Sequence, residues 1–378
     1  MFELNKNRIQ LLVVSYSLSG GGAERFTSTL LSHLDRKRFK PSLCLIRNEI
    51  SYPVPADIPL TLLGKTEPRH LLRAFTRLIN VITKTQPHVV LSVNAFAAQI
   101  TGAALLKCGS KPHWIARIGG NPAYDEKQVW RRIIGDLWNN VSYRKVNQFV
   151  ANSKGLTHGF TNYYPFTNGK VGTIFNPTDF AFIDRLAQEK PALHLDPTIP
   201  MIITVGNLLR PKRLDILLRS FALLRNRMKA ILYICGEGPL RKQLEMEVNY
   251  LKLNKSVYLL GFQENPYCLM VRSKIFVMTS DHEGLPNALI EAQGLGIPSI
   301  STRCPYGPDE IIDEGKTGLL TEVGDIRAIA DAMENLLRDP ERMIGMGKAA
   351  RERAHQLFDK SKIIHEWESL FEKTIKNH

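Results

Sequence analysis

The 378-residue chain has 44% hydrophobic and 23% charged residues, which is typical of a globular protein long enough for two domains. No apolar run approaches the roughly 18 residues of a membrane-spanning helix, and the N-terminal segment has the pattern of a first strand rather than a signal peptide. The five cysteines are scattered, which favours reduced thiols over disulfides or a zinc site. These features predict a cytoplasmic protein.

The formal net charge of +14 is unevenly distributed. Residues 1–190 contain 25 Lys and Arg against 12 Asp and Glu, whereas the remainder contains 25 against 24. A basic half predicts an anionic partner, which could be membrane lipid, a phosphorylated acceptor or nucleic acid. Nucleic acid is the weakest of the three, because no recognition motif or stacking platform accompanies the charge.

Short β-branched runs alternate with helical patterns along the first half. The predicted strands are IQLLVVSY, PSLCLIR, HVVLSV, HWIARI, NQFVANS and VGTIF, with helices such as Arg25–Leu34 and Lys127–Lys145 between them. This alternation predicts an α/β domain with a doubly wound parallel sheet.

One predicted helix of the first half, PRHLLRAFTRLINVITK, is strongly amphipathic. Its apolar stripe is formed by Leu71, Leu72, Phe75, Leu78, Ile79 and Ile82, opposite Arg69, Arg73, Arg77 and Lys84. A solvated face over a core stripe and a membrane-contact face both fit this pattern. The segment WRRIIGDLWNN, with Trp130 and Trp138 beside Arg131 and Arg132, has the residue mixture of an interfacial surface, although such tryptophans are also common in cores.

Residues 176–200 contain four prolines and show no periodicity, after which the alternation restarts with MIITVGN, AILYICG, SVYLLGF, KIFVMTS and IPSIST. The sequence therefore predicts one Rossmann-like domain over residues 1–192 and a second one over residues 193–358. Residues 359–378 are expected to form a helix that returns to the first domain. Two such domains facing a cleft bind ligands at the carboxyl ends of their strands.

A glycine cluster, SLSGGGAERF, follows the first strand and opens a helix. Ser19 can cap this helix, and the glycines of residues 20–22, Gly21 and Gly22 among them, let backbone amides approach a phosphate or sugar. A tight strand-to-helix turn explains the glycines equally well. An NAD site is disfavoured, because Arg25 replaces the third glycine of that fingerprint and Arg47 stands where an acidic residue is expected. Arg47 could suit a 2′-phosphate, so NADP is disfavoured but stays open as an alternative.

Three strand ends of the second half carry polar or small residues. The first is followed by Gly206, Arg210, Lys212 and Arg213, whose three cations suit a diphosphate. The second is followed by the turn that begins at Gly236. At the third, Pro286 is predicted to start a helix that exposes the amides of Gly284, Leu285 and Asn287.

Glu283 and Glu291 stand on either side of this helix start. Either carboxylate could accept hydrogen bonds from hydroxyl groups, while the amide-rich helix start between them suits a diphosphate. A molecule with hydroxyls at both ends and a diphosphate in the middle has the shape of a nucleotide sugar. The alternatives are a helix-dipole carboxylate for Glu283 and a buried, cation-paired glutamate for Glu291.

The stretch EGLPNALIEA, with glutamates eight positions apart, resembles the E-x7-E motif of the retaining glycosyltransferases of family 4, which have the GT-B fold. SGGGAERF, ANSKGL, FNPTD, VGNLLRPKRLDILLRSF, ICGEGPLRKQLE, YLLGFQEN and YGPDEIIDEGKTGLL are similar to further family landmarks in the same order. The resemblance implies that Glu283 contacts the donor sugar, Glu291 the ribose, and Lys212 the diphosphate without a metal, with Phe262 also at the donor site. It also implies retention at the anomeric carbon, by same-face attack in which the leaving phosphate helps to take the acceptor proton.

The chain departs from the family pattern at two places. Asn207 follows Gly206 where the family usually has arginine, so the usual lysine–arginine pair needs Arg210 as a substitute. The strand HWIARIGGNP offers Arg117 and Asn121 near the place where many members carry an active-site histidine.

Together with this resemblance, the sequence predicts a retaining, metal-independent GT-B hexosyl- or N-acetylhexosaminyltransferase without a cofactor. The resemblance implies that the N-terminal domain (residues 1–192) binds the acceptor and the C-terminal domain (residues 193–358) binds the nucleotide sugar. The expected donor is a UDP-sugar, and the expected acceptor is polyprenyl-diphosphate-linked or another lipid at the inner face of the cell membrane. Catalytic roles fall to Glu283, Lys212 and Arg210, and acceptor or phosphate contacts to the glycine loop, Arg117 and Asn121. Transfer to a small soluble acceptor and a non-catalytic nucleotide-sugar-binding subunit are the alternatives.

Overall fold

The structure is a computed structural model that describes residues 8–64, 70–109, 111–120, 122–124 and 129–376, without the side chains of residues 124 and 129–134. The chain forms two compact units. One comprises Met1–Pro177 together with Lys360–His378, and the other comprises Thr178–Asp359.

The first unit alternates strands and helices as its sequence predicts. Its elements are β1 (Ile9–Ser15), α1 (Gly22–His33), β2 (Phe39–Leu45), β3 (Leu60–Leu62), α2 (Leu71–Thr85), β4 (Val89–Ser92), α3 (Ala95–Lys107), β5 (His113–Ile118), α4 (Val129–Ser142), β6 (Gln148–Ala151), α5 (Lys154–Tyr163) and β7 (Val171–Thr173).

These strands form a seven-stranded parallel sheet in the order β3-β2-β1-β4-β5-β6-β7. Side chains of β1 alternate between its two faces, so that Leu11 and Val13 pack in one apolar core and Leu12 and Val14 in another. The strand order reverses between β1 and β4, which makes their carboxyl ends the place where a ligand is expected. The short edge strand β3 was absent from the sequence-based prediction.

Helix α2 differs from its predicted burial. Ala74, Leu78 and Ile82 are its buried residues, whereas Leu71 and Leu72 of the predicted apolar stripe are 39% and 76% exposed. The helix begins at Leu71, and both leucines lie in its first turn, where they extend beyond the core.

The second unit has the same alternation. Its elements are α6 (Phe180–Ala187), β8 (Met201–Val205), α7 (Leu214–Arg225), β9 (Ile231–Cys235), α8 (Arg241–Tyr250), β10 (Val257–Gly261), α9 (Tyr267–Met270), β11 (Ile275–Met278), α10 (Asn287–Gly294), β12 (Ser299–Thr302), α11 (Pro308–Ile311), β13 (Gly318–Thr321), α12 (Ile326–Arg338) and α13 (Pro340–Phe358).

Its six parallel strands are ordered β10-β9-β8-β11-β12-β13, so the order reverses between β8 and β11. The core over one face combines strand residues such as Ile202 and Val277 with Leu217 and Phe221 of α7 and Met333 of α12. Two parallel-sheet α/β domains of this kind are the predicted GT-B architecture. The sequence had not indicated β13.

The last helix, α14 (Lys360–Lys376), belongs to the first unit. Its Trp367 and Phe371 are buried against Phe26 and Phe39, with ring centroids 5.2 and 6.0 Å apart respectively. Arg38 Nη1 lies 2.8 Å from Glu368 Oε2, which adds a charged contact to this apolar one.

The boundary between the units lies at Pro177–Thr178 and not near Leu193, as the proline-bearing stretch had suggested. Residues 180–187 form the helix α6, whose buried residues are Phe180, Ile183 and Ala187. Asp184 pairs with Arg351 of α13 at 2.7 Å. Pro191, Pro197 and Pro200 lie in the loop between α6 and β8, inside the second unit, and do not mark a linker, whereas Pro177 ends the first segment of the first unit.

The contact between α6 and α10 depends on a glycine. A Cβ atom at Gly294 would lie 2.2 Å from Cε1 of Phe180. We therefore expect Gly294→Ala to lower the free energy of unfolding by about 1–3 kcal/mol, as overpacking does. Chemical denaturation of the full chain measures this change.

Gly345→Ala in α13 is the matched control, because a Cβ there meets nothing within 4 Å. It should leave the unfolding free energy unchanged or raise it by about 0.4–1 kcal/mol. Phe180→Leu should recover part of the loss in the Gly294→Ala background. Equal effects of the two alanines would contradict the close packing of α6 on α10.

Candidate functional site

The loop after β8 lies at the point where the strand order of the second sheet reverses. Gly206 N donates to Cys235 O at 2.9 Å, and Leu208 is fully buried, so the loop is fixed to the second unit. Residues Arg210–Lys212 form a 3-10 turn, and Arg213 follows in the left-handed conformation with φ of 44°. These contacts leave Asn207 and Arg210 exposed.

Lys212 and Glu283 come together at the site. Lys212 Nζ lies 2.5 Å from Glu283 Oε1, and the hydroxyl of Ser280 donates to the same oxygen at 2.6 Å. The lysine side chain is 29% exposed and the glutamate side chain 12%. The predicted diphosphate cation and the predicted sugar-binding carboxylate are therefore each other's partners in this structure.

The three cations of the loop differ in their surroundings. Arg213 forms ion pairs with Asp215 at 3.1 Å and Asp281 at 3.0 Å, and its hydrogen bond to Asp215 raises the pKa of the guanidinium. Arg210 has no ion pair with any residue that the structure describes. Of the three, Arg210 is the exposed cation without a described ion pair, Lys212 is paired with Glu283, and Arg213 supports the loop.

The loop after β11 is bonded to the loop after β8. The hydroxyl of Thr279 donates to the Lys212 carbonyl at 3.0 Å, and Asp281 N donates to Pro211 O at 2.8 Å. Thr302 at the end of β12 donates its hydroxyl to the Ser280 carbonyl at 2.6 Å. Sequence reasoning did not identify Thr279, Ser280 or Thr302, although each stands at or just after a strand end.

The glycine turn after β9 packs directly on the loop after β8. A Cβ at Gly236 would lie 1.9 Å from Gly206 O, and one at Gly238 would lie 2.6 Å from Leu208 O. Gly236 N also donates to Gly261 O at 2.8 Å, next to Phe262, which is 72% exposed. Glycine is therefore required at positions 236 and 238 by backbone packing, whatever else these residues do.

The start of α10 differs by one residue from the prediction. Pro286 has φ of −74° and ψ of 102° and is the N-cap, so the helix begins at Asn287. Gly284 and Asn287 are half-buried, and Leu285 is buried. Glu291 lies inside the helix and is only 4% exposed.

A second loop supports this helix start, and sequence reasoning did not assign it a role in the site. A Cβ at Gly307, where φ is +95°, would lie 2.8 Å from Cδ of Pro286 and 3.0 Å from Gly284 O. Glu283 N donates to Pro305 O at 3.2 Å. Burial, together with the charge of Glu283, raises the pKa of the nearby Cys304 thiol to about 12.

In the first unit, the glycine loop connects β1 to α1. Gly20 has φ of +125°, and Gly21 is the N-cap of α1 without a side-chain capping bond. Ser19 was predicted to cap the helix, but its hydroxyl lies 2.9 Å from that of Ser17 instead. Gly20 and Gly22 are exposed.

Arg117 lies at the end of β5 and is 4% exposed. Its guanidinium donates to Asn176 Oδ1 at 2.6 Å and to Val93 O at 3.4 Å, and its Cζ lies 4.3 Å from the ring centroid of Phe26. Burial lowers the pKa of Arg117 to about 10, and the charge of Glu24 acts in the opposite direction. Asn121, predicted beside it, lies outside the described residues.

Among the described residues, no group of three or more His, Cys, Asp or Glu side chains is arranged to hold a metal ion. Within the same residues, no helix combines the length and the apolarity that a membrane crossing requires.

Comparison with known proteins supports the resemblance. The family model for glycosyltransferase family 4 matches residues 20–182, and the model for glycosyl transferases group 1 matches residues 187–353. A Campylobacter jejuni protein named N-acetylgalactosamine-N,N'-diacetylbacillosaminyl-diphospho-undecaprenol 4-alpha-N-acetylgalactosaminyltransferase is 28% identical, over 94% of this chain and 97% of its own. The lipopolysaccharide core biosynthesis glycosyltransferase LpsD of Rhizobium meliloti is 25% identical, over 94% and 96%.

Solved structures share the fold. Anabaena HepE in complex with UDP superposes with a TM-score of 0.80 at 17% identity, over 97% of this chain and 100% of that one. Sucrose-phosphate synthase from Thermosynechococcus elongatus gives a TM-score of 0.81 at 16% identity, over 98% and 100%. The matched families, the two sheets and the fold agree, and the chain belongs to glycosyltransferase family 4.

Proposed function

We propose that this glycosyltransferase moves a sugar from a UDP-sugar to a lipid-linked precursor of a surface glycan. The observation that carries the proposal is the cluster of Lys212, Glu283 and Ser280, with Arg210 beside it, where the strand order of the second sheet reverses. HepE was solved with UDP, and the Campylobacter relative is named for an undecaprenyl-diphosphate-linked acceptor. Both names support, by analogy, the donor and the acceptor proposed for this chain.

Donor binding would rearrange the Lys212–Glu283 pair. A diphosphate competes with the carboxylate for the lysine ammonium, because both are anionic partners of one partly buried cation. Once Lys212 turns to the phosphate, Glu283 is free to accept hydrogen bonds from the sugar hydroxyls, while Ser280 still holds one of its oxygens. Glu291 would accept hydrogen bonds from the ribose hydroxyls.

The proposed transfer retains the configuration at the anomeric carbon. The bond between this carbon and the diphosphate oxygen breaks, and the bond to the acceptor oxygen forms on the same face of the sugar. The acceptor hydroxyl proton passes to the departing diphosphate. Lys212, Arg210 and the amides around Gly284 would stabilise the charge that develops on this leaving group, which is how a metal-independent reaction can proceed.

The first unit is the proposed acceptor and membrane side. It contains 27 Lys and Arg against 12 Asp and Glu, a balance of +15, whereas the second unit has a balance of −1. At the first turn of α2, the exposed Leu71 and Leu72 precede the exposed Arg73. Exposed leucines beside a cation suit an anionic lipid surface, and we propose peripheral binding at the cytoplasmic face of the cell membrane.

A mass-spectrometric screen with a panel of UDP- and GDP-sugars tests the proposed reaction. We expect a UDP-sugar to be consumed only with a polyprenyl-diphosphate-linked sugar acceptor. Consumption with small soluble sugars instead would favour the soluble-acceptor alternative. Protection against thermal unfolding by UDP-sugars without any turnover would favour a non-catalytic binding subunit.

The two glutamates should affect different steps. Glu291→Gln should weaken the binding of free UDP by roughly 1.5–3 kcal/mol, because it removes charge-assisted hydrogen bonds to the ribose. Glu283→Gln should leave UDP affinity nearly unchanged and reduce transfer, because its proposed partner is the sugar. Calorimetry with UDP and a transfer assay measure the two effects.

Glu245→Gln, on the exposed surface of α8, is the matched control and should change neither quantity. Unchanged UDP affinity in Glu291→Gln would contradict the ribose assignment. Normal turnover in Glu283→Gln would contradict the sugar assignment.

Arg210 should supply the charge that Asn207 lacks. Lys212→Ala and Arg210→Ala should each lower transfer more than tenfold, which corresponds to about 1.4 kcal/mol. Asn207 is exposed in the same loop, so Asn207→Arg should partly rescue the Arg210→Ala variant by restoring the charge.

Transfer rates at saturating donor and acceptor measure both the loss and the rescue. Lys229→Ala is the control, because Lys229 is exposed in the loop that precedes β9, at the opposite edge of the sheet. Full activity of Arg210→Ala would show that Arg210 is an ordinary solvated residue and that Lys212 carries the diphosphate with the backbone amides.

The membrane surface is tested by co-sedimentation with phosphatidylglycerol vesicles. Binding should fall steeply with added salt, because screening at physiological ionic strength acts beyond roughly 8 Å. The double variant Leu72→Ser with Arg73→Gln should bind several-fold more weakly. Arg77 is left unchanged, because it donates to the Leu62 and Leu63 carbonyls and holds the end of β3. Arg69 lies outside the described residues.

Leu106→Ser is the matched control, because Leu106 is 48% exposed but lies in the last turn of α3, towards the amino ends of the strands. It should leave binding unchanged. Equal binding of wild type to neutral phosphatidylcholine vesicles, or equal losses in both variants, would refute this surface.

A further inference from the structure

The first turn of α1 holds a carboxylate that the proposed reaction does not use. Glu24 is half-buried, and its Oε2 lies 2.4 Å from the position that a Cβ at Gly21 would occupy. The carboxylate is therefore folded back over the glycine loop. It forms no hydrogen bond or ion pair with the part of the chain that the structure describes.

A buried cation lies near this carboxylate. Arg117 is 4% exposed, and its hydrogen bonds go to the neutral oxygens of Asn176 and Val93. Phe26, two residues after Glu24, lies against the guanidinium at 4.3 Å. Glu24 is the acidic group whose charge acts on Arg117. Arg117 therefore attracts the Glu24 carboxylate at the edge of the glycine loop, although the two groups form no direct ion pair.

The position of these groups in the fold indicates a ligand site. Glu24 lies in α1, which follows β1, while Val93 follows β4 and Arg117 lies at the end of β5. The strands β1, β4 and β5 are neighbours in the first sheet. The strand order reverses between β1 and β4, and open α/β sheets bind their ligands at this point. The exposed Gly20 and Gly22 leave the carboxylate accessible from solvent.

We propose that Glu24 binds the acceptor sugar by accepting hydrogen bonds from its hydroxyl groups, an inference that rests on the proposed glycosyl transfer. A carboxylate with unused lone pairs is a strong acceptor for a pair of hydroxyls. A phosphate at the same place would meet a like charge, which disfavours it. The glycine loop is therefore assigned to the acceptor sugar, and the acceptor diphosphate is assigned elsewhere.

Gly21 and Arg117 are positioning residues in this proposal. The absence of a side chain at Gly21 lets the carboxylate fold back, and Arg117 joins the loop to Val93 and Asn176. A purely structural carboxylate at the start of a helix would contribute to stability through the helix dipole. The two roles therefore differ in whether acceptor binding or unfolding is affected.

The experiment uses the full chain with UDP-N-acetylgalactosamine or UDP-N-acetylglucosamine as donor and short-chain polyprenyl-diphosphate N-acetylgalactosamine as acceptor probe. Glu24→Gln should raise the acceptor KM at least tenfold while the affinity for UDP, measured by calorimetry, stays within twofold. Gly21→Ala should raise the same KM, because its Cβ displaces the carboxylate. Glu49→Gln is the matched control, since Glu49 is an exposed, ion-paired glutamate of the same unit and should change neither value.

Polyprenyl diphosphate without a sugar separates hydroxyl recognition from phosphate recognition. Its inhibition constant should be the same for wild type and Glu24→Gln, because it has no sugar for Glu24 to bind. An equal weakening of this inhibitor, an unchanged acceptor KM, or a KM change that follows a lowered melting temperature would overturn the proposal. A wild-type chain that binds UDP but consumes no donor with any acceptor would instead overturn the proposed transfer itself, and the inference with it.

Discussion

The pairing of Lys212 with Glu283 is the interaction on which the second unit's site depends. It joins the loops after β8 and β11, the two strands between which the sheet order reverses. Pairing offsets part of the cost of removing these two charges from water, so the ion pair favours a fixed register of the two loops. Hydrogen bonds from the Thr279 hydroxyl and the Asp281 backbone amide fix that register, and Ser280 holds the carboxylate in place. An anionic ligand that replaces Glu283 at the ammonium therefore meets a site that is already assembled.

The buried strands of the two sheets could be predicted from the sequence, whereas the short edge strand β3 and the short helix α6 could not. Buried parallel strands such as β1 and β8 are continuous apolar runs, which the sequence displays directly. The edge strand β3 has three residues, none of them buried, so it carries no such signal. Helix α6 was missed because it has only eight residues and precedes a proline-rich loop. Its membership of the second unit depends on contacts with Gly294 and Arg351, which are distant in sequence.

The same limit applies to the site. Lys212 and Glu283 could be selected because both follow strands whose carboxyl ends share one edge of a sheet. Arg210, Lys212 and Arg213 are equivalent cations in the sequence, and only the folded loop separates them. The left-handed backbone at Arg213 places its guanidinium near Asp215 and Asp281, whereas Arg210 stays exposed. Glu24 could likewise not be selected as a site residue from the sequence, because its proposed role depends on Arg117, which lies 93 positions away in the chain.

The two units differ in how the charges near their strand ends are compensated, although both have parallel sheets. In the second unit, cations near the strand ends are matched by carboxylates, and the total charge is close to neutral. The first unit has an excess of fifteen positive charges and keeps Arg117 buried with neutral oxygen partners. A buried guanidinium without a direct ion pair is costly, and the charge of Glu24 offsets part of this cost at longer range. Architecture is therefore shared between the units, while the chemistry of each is set by a few charged side chains in the loops after its strands.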